Sequence, residues 1–159
     1  MKKLTLLSLL LSGLFIVGCD DDDNESPAPT IDLAAESLEV TVDKVSATEG
    51  TIFLRGTVKN IGGDFVSGEG QQKVYLTEKY PGGQSTTVAQ KAFTVLSAGA
   101  IIELKYSRQW RTSAEFPPEY TLRISYGPDI YLDGNDQNDD KNMNNNSRKI
   151  TGAQINARF

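Results

Sequence analysis

Between residues 38 and 126 the chain alternates apolar and polar side chains one by one, in five separate runs. Leu38, Val40 and Val42 alternate with Glu39, Thr41 and Asp43, and Ile52, Leu54 and Val58 with Thr51, Arg55, Thr57 and Lys59. Val74 and Leu76 follow with Lys73 and Thr77, then Ile102, Leu104 and Tyr106 with Glu103, Lys105 and Ser107. The last run sets Tyr120, Leu122, Ile124 and Tyr126 against Thr121, Arg123 and Ser125. A period of two is the signature of a strand with one face in a core and one in water. Leu54, Val58, Leu76, Leu104, Leu122 and Ile124 are therefore the expected core.

Turn-forming residues separate the runs: Glu49-Gly50, Ile61-Gly62-Gly63-Asp64, Pro81-Gly82-Gly83, Ala98-Gly99 and Pro117-Pro118. Residues 85–95 are strand-like but change phase, with Val88 and Ala92 on one parity and Phe93 and Val95 on the other. A bulge or an edge strand accounts for that. Residues 147–156 are expected to supply the last strand, with Ile150 and Ile155 on opposite parities. No run after residue 30 has helical spacing. Seven or eight short strands at this spacing predict an all-β fold, an immunoglobulin-like antiparallel β-sandwich over residues 31–159.

The chain has no histidine and one cysteine. Histidine-based acid/base catalysis, Ser-His-Asp triads and histidine-held zinc or iron are thereby excluded. Carboxylates, Lys, Tyr and Ser remain, and no spacing marks two facing acids of the glycosidase kind. The expectation is a protein that is not an enzyme.

That one cysteine, Cys19, closes a segment that opens with Lys2 and Lys3 and continues through an apolar run from Leu4 to Val17. Charged start, apolar middle and small residue before a cysteine make a secretory signal over residues 1–18. The run is too short for a bilayer span, which takes about 20 residues. Ile16-Val17-Gly18-Cys19 resembles the lipobox of bacterial lipoproteins. That resemblance implies acylation of Cys19 and a membrane anchor there. One acyl chain contributes on the order of 10 kcal/mol gross at ~0.8 kcal/mol per methylene, so several hold essentially permanently.

Loss of Lys2 and Lys3 with the signal takes the formal net charge from −5 to −7. Such an acidic body argues against nucleic acid, which is bound by clustered Lys and Arg. Residues 19–30 follow the signal as an acidic tether, Asp20 to Asp23 with Asn24, Glu25 and two prolines. It is expected to be disordered, with a reach of at most about 35 Å. In some Gram-negative lineages an acidic run after the lipid cysteine resembles an export tag for the exposed face of the outer membrane. In others an aspartate there resembles an inner-membrane retention mark. The expected location is the bacterial cell envelope, at the outer membrane.

Four landmarks resemble the bacterial CARDB-type domain, an immunoglobulin-like sandwich whose name refers to cell adhesion. Val58-Lys59-Asn60-Ile61-Gly62 is similar to that family's strand ending in Val-x-Asn-x-Gly. Leu96-Ser97-Ala98-Gly99 is similar to its Leu-x-x-Gly turn, and Tyr120-Thr121-Leu122-Arg123-Ile124 to its late Tyr-x-Leu-x-Val strand. The Asp/Asn-rich stretch from Asp129 to Asn146 resembles the acidic loop before its final strand. The likeness spans residues 31–155 and implies a sandwich and a binding or adhesion role.

Two candidate sites follow. The loop from Asp129 to Asn142 is dense in hard oxygen ligands, which is what calcium takes. Asp129, Asp133, Asn135, Asp136 and Asp139 are the candidate calcium ligands. A plain solvated hairpin is the alternative, because Asp and Asn are also turn residues. Tyr80, Trp110 and Tyr131 are candidate partner-binding residues, provided that they share one end of the sandwich. Trp110 has the parity of Ile102, Leu104 and Tyr106, which places it in the core. With Arg108 and Arg111 it would otherwise frame a stacking platform. Phe53 falls on the polar parity of its strand, so it either packs under a loop or marks a contact patch.

The expected function is a non-catalytic binding or adhesion module acting through loops and a sheet edge on an envelope protein or polysaccharide. The alternatives are a structural subunit of a larger envelope complex and a glycan-binding accessory module.

Overall fold

Pleating sends successive side chains to opposite faces, and each alternating run becomes a strand. The computed structural model describes residues 29–159. The signal segment, Cys19 and the tether through residue 28 lie outside the described residues. The strands are β1 (Leu33–Lys44), β2 (Glu49–Asn60), β3 (Phe65–Val66), β4 (Gln72–Lys79), β5 (Ser85–Ala92), β6 (Val95–Leu96), β7 (Ile101–Arg111), β8 (Glu119–Tyr126) and β9 (Ser147–Ile150). One short helix, α1 (Gly152–Asn156), ends the order.

All pairings are antiparallel. One sheet has the order β1-β2-β7 and the other β5-β4-β8-β9, with β3 and β6 as a small separate pair. β1 lies over β8 and β9, and β7 over β5. The protein is thus the expected all-β sandwich. Leu54, Val58, Leu76, Leu104, Leu122 and Ile124 are all buried, together with Phe65, Tyr120, Ile130 and Ile155. A Cβ on Gly56 would stand 2.8 Å from Leu122 Cδ1. The missing side chain is what lets the middle of β2 approach the opposite sheet.

The phase change in residues 85–95 has both of its anticipated causes. β5 is the edge of its sheet, and its register with β4 shifts between Leu76 and Thr77, leaving Val88 as the extra residue. The C-terminal expectation needs correction. Only Ser147–Ile150 is strand, and residues 152–156 are helical. The Thr151 side chain accepts from Gln154 N, while Gln154 Oε1 accepts from Thr151 N at 2.8 Å. This reciprocal cap starts a helix there, and the helix turns Ile155 into the core.

Two of the landmark motifs meet in space. Asn60 is fully buried, and its Nδ2 donates to Gly63 O and to Leu96 O, 2.6 Å each. A Cβ on Gly62 would stand 2.2 Å from Thr30 O, because this turn receives the chain as it enters β1. Ile61 N and Gly63 N donate to Asp32 O and Thr30 O at 2.8 and 2.9 Å. The chain therefore enters at the end of the sandwich where β4 and β7 begin. At the opposite end lie the β1–β2, β4–β5 and β7–β8 loops and α1. The 12 residues of β1 separate the two ends by about 36 Å at ~3.3 Å per residue.

Candidate functional site

Phe53 points away from the core at the middle of β2, with β1 on one side and β7 on the other. It is 46% exposed, and no other segment among the described residues covers it. Its direct neighbours in register are Thr41 on β1 and Ser107 on β7. Cross-strand partners stand about 5 Å apart, and two short hydroxyl side chains leave both flanks of the ring open. The next row on one side is Glu39, Arg55 and Lys105, and on the other Asp43, Thr51 and Gln109. An open depression of about 640 Å³ crosses this face, lined by Glu39, Thr41, Phe53, Arg55, Lys105 and Ser107 among others.

Three of the charges on this face are tied to one another. Arg55 Nε bonds the Glu103 carboxylate, and Lys105 Nζ stands 2.8 Å from Glu103 Oε1. The Lys105 and Arg55 donors hold the Glu103 carboxyl below the usual carboxylate range. Gln109 Nε2 donates to Thr51 Oγ1 at 2.9 Å. The result is a polar surface with fixed donors and acceptors around one apolar ring. Among the described residues Phe53 does not pack under a loop.

The core-facing side of β7 presents Arg108 to the opposite sheet. Its Nη1 bonds the Glu78 carboxylate and donates to Tyr80 Oη at 2.9 Å. Tyr120 Oη donates to the same Glu78 oxygen at 2.6 Å. Burial works to lower the Arg108 pKa, and the bonds with Tyr80, Glu78 and Tyr120 outweigh it, leaving the guanidinium more firmly protonated. Burial raises the Tyr120 phenol, and Glu78 raises it further. Arg108 also stands 5.9 Å from the ring centres of both Tyr80 and Trp110.

Trp110 is in the core, as its parity predicts, and the alternative platform around it is not there. Trp110 is 4% exposed, its ring lies 6.4 Å from that of Tyr120, and its Nε1 donates to Asn156 Oδ1 at 2.7 Å. Its parity with Ile102, Leu104 and Tyr106 is why it is a core residue. Tyr80 and Tyr131 are both half exposed but stand at opposite ends. Tyr80 follows β4 at the end with α1, whereas Tyr131 follows β8 at the end where the chain enters. The three aromatics do not make one surface.

Tyr131 belongs to the Asp/Asn loop, whose side chains bond mainly to one another. Asp133 accepts from Asn135 N, Gln71 Nε2 and Asn138 Nδ2 at 2.8–2.9 Å. These donors, Asn138 first, lower its pKa. Asp140 accepts from Tyr126 Oη, Asn146 Nδ2 and Asn142 N, and Tyr131 Oη donates to its backbone oxygen. Asn135 ties the loop to Val66 O, and Asp139 pairs with Lys141. Of the expected calcium ligands, Asp129, Asp133, Asn135, Asp136 and Asp139 form no convergent set of three acids, and no other such group exists among the described residues. The loop acts here as a scaffold of short Asx turns held by amide donors.

Sequence reasoning missed the Arg108–Glu78 pair. Both residues sit on the core parity of their strands, and two opposite charges on core parities were the available signal.

No protein-family model matches the chain, and no curated protein matches it. Among solved structures, a provisionally assigned beta-galactosidase from Bacteroides fragilis is similar at 15% identity and a TM-score of 0.37. The likeness covers 62% of this chain and 14% of that one. Beta-glucosidase 3B from Thermotoga neapolitana in complex with glucose is similar at 17% identity and a TM-score of 0.34, over 77% of this chain and 17% of that one. This chain thus spans about a sixth or less of the length of these proteins.

Proposed function

We propose that this chain is a non-catalytic binding module of a bacterial cell envelope, anchored through acylated Cys19 and engaging its ligand with the outer face of the β1-β2-β7 sheet. The observation that carries this reading is Phe53. It is a large apolar ring at the centre of a face that no other described segment covers, in a trough lined by Glu39, Thr41, Arg55, Lys105 and Ser107. The anchor rests on the signal segment and the Ile16-Val17-Gly18-Cys19 motif, and the outer membrane is the proposed location. The chemistry left without histidine, and with Cys19 committed to lipid, favours binding over turnover.

The described chain enters at Thr30, and the trough, at Thr41, lies nine residues beyond Asp32. A ligand can reach it without displacing the entry turn. A second reading is docking as a subunit through the far end, where Val45, Tyr80 and Phe116 are exposed on three neighbouring loops.

Co-sedimentation of the unacylated Cys19→Ser chain with isolated envelope material tests the first reading. That chain is expected to sediment, and the same chain carrying Phe53→Ala to stay in the supernatant with its melting temperature unchanged. Equal sedimentation of both proteins would move the binding site elsewhere.

A further inference from the structure

We infer that the Phe53 trough binds an internal stretch of a neutral, linear glycan. The inference rests on the binding-module reading and names its ligand class. Four features of the trough carry it.

The first is its floor. Among the described residues Phe53 is the only exposed large apolar side chain in the interior of a long strand. Val45, Ile61, Phe116 and Leu132 sit in turns and loops, and Ile101 begins its strand. Single exposed apolar residues in turns are ordinary. A phenyl ring at the centre of a sheet, with Thr41 and Ser107 as its only direct neighbours, is a flat apolar surface left open on both flanks. The C–H face of a pyranose ring meets such a surface with its weakly positive hydrogens against the negative ring face.

The second is the rim. Hydroxyl groups radiate from a pyranose around its edge, each both donor and acceptor. Around Phe53 stand acceptors (Glu39), donors (Arg55, Lys105) and groups that are both (Thr41, Ser107). Arg55 and Lys105 are held on Glu103, so the donors are ordered before a ligand arrives, which reduces the entropy cost of binding.

The third is charge. The row beside Phe53 sets Arg55 and Lys105 against Glu39, the next row out adds Glu103, and the row on the other side adds Asp43, so both signs are interspersed and no single-sign field selects a charged ligand. A polyuronate or an acidic peptide would gain little here. A protein partner requires roughly 800 Å² with an apolar centre, and one ring flanked by hydroxyls and ion pairs does not supply that.

The fourth is shape. The depression runs across three strands, from β1 to β7, and both are sheet edges. A trough open at both sides accommodates a chain passing through it and has no wall to recognise a chain end.

Affinity electrophoresis of the detergent-extracted full chain through gels containing soluble α-glucan, β-glucan, mannan, galactan or xylan tests this, with polygalacturonate as the acidic control. At least one neutral polymer is expected to retard the wild type. Phe53→Ala should weaken that by about tenfold or more, equivalent to the loss of one stacked ring. Phe53→Trp should retain it, and both variants should melt with the wild type. Free monosaccharides should compete poorly. Retardation by polygalacturonate alone, retardation unaffected by Phe53→Ala, or equal affinity for a monosaccharide would each overturn the inference. So would a wild-type dimer that Phe53→Ala dissolves, which would assign the face to a second copy. Failure with every polysaccharide while envelope co-sedimentation persists would remove the glycan and leave the binding module standing.

Discussion

Trp110 donates its indole N–H to Asn156 Oδ1 over 2.7 Å, joining the end of β7 to the C-terminal helix. This bond closes the end of the sandwich remote from the chain's entry, where Lys44 Nζ also donates to Phe159 O at 2.6 Å. Trp110 is the only tryptophan, so its fluorescence reports this contact alone. Emission should be that of a buried indole, poorly quenched by iodide. Asn156→Ala leaves a buried donor unpaired and should cost about 1–2 kcal/mol in a denaturant titration. Strong iodide quenching in the native protein would contradict the buried placement.

Much of the fold was legible because the pleat imposes its period directly on the residues. Leu54, Val58, Leu76, Leu104, Leu122 and Ile124 had to share one side whichever strands became neighbours. The phase change around Val88 was legible as an irregularity for the same reason. Residues 152–156 were not, because a five-residue helix is too short to display a 3.6 period. Only the Thr151 to Gln154 cap marks it. Phe53 was readable as outward-facing, but whether a loop would cover it depends on long-range topology. Tyr80 and Tyr131 sort to opposite ends only once β4 and β8 are known to be antiparallel neighbours.

Arg108 and Glu78 bridge the two sheets with side chains 29% and 13% exposed. Removing one partner strands the other in a partly dry site. Arg108→Ala should therefore cost about 1–3 kcal/mol, between the values for surface and fully buried pairs. Arg108→Met with Glu78→Gln should recover part of that loss. A double variant no more stable than either single one would show that the pair is not coupled.

The buried tyrosines predict alkaline lability. Burial raises the Tyr126 phenol, and the hydrogen bond and charge of Asp140 raise it further. A raised folded pKa means that its contribution is fully present below the unfolded value of about 10. It is lost as pH climbs from there through the folded value. Melting temperature should fall above pH ~10, alongside late appearance of tyrosinate absorbance. Tyr126→Phe should lower stability at neutral pH by about 1–2 kcal/mol and make the alkaline fall shallower. Full tyrosinate absorbance near pH 10 in the native protein would contradict this.

Acylation at Cys19 has a direct readout. Mass spectrometry of the mature N-terminus should find Cys19 as the first residue carrying acyl chains, and Cys19→Ala should yield precursor or soluble product. An unmodified Cys19, or cleavage well away from Gly18, would remove the anchor from the account.

The central claim is that this chain binds through the outer face of β1-β2-β7. Amide chemical shifts of the isotope-labelled mature chain carrying Cys19→Ser, titrated with solubilised envelope material, test it residue by residue. Shifts should cluster at Thr41, Phe53, Arg55, Lys105 and Ser107 and vanish in Phe53→Ala. Shifts confined to the far loops around Val45, Tyr80 and Phe116, or to the Asp133–Asn146 loop, would contradict it.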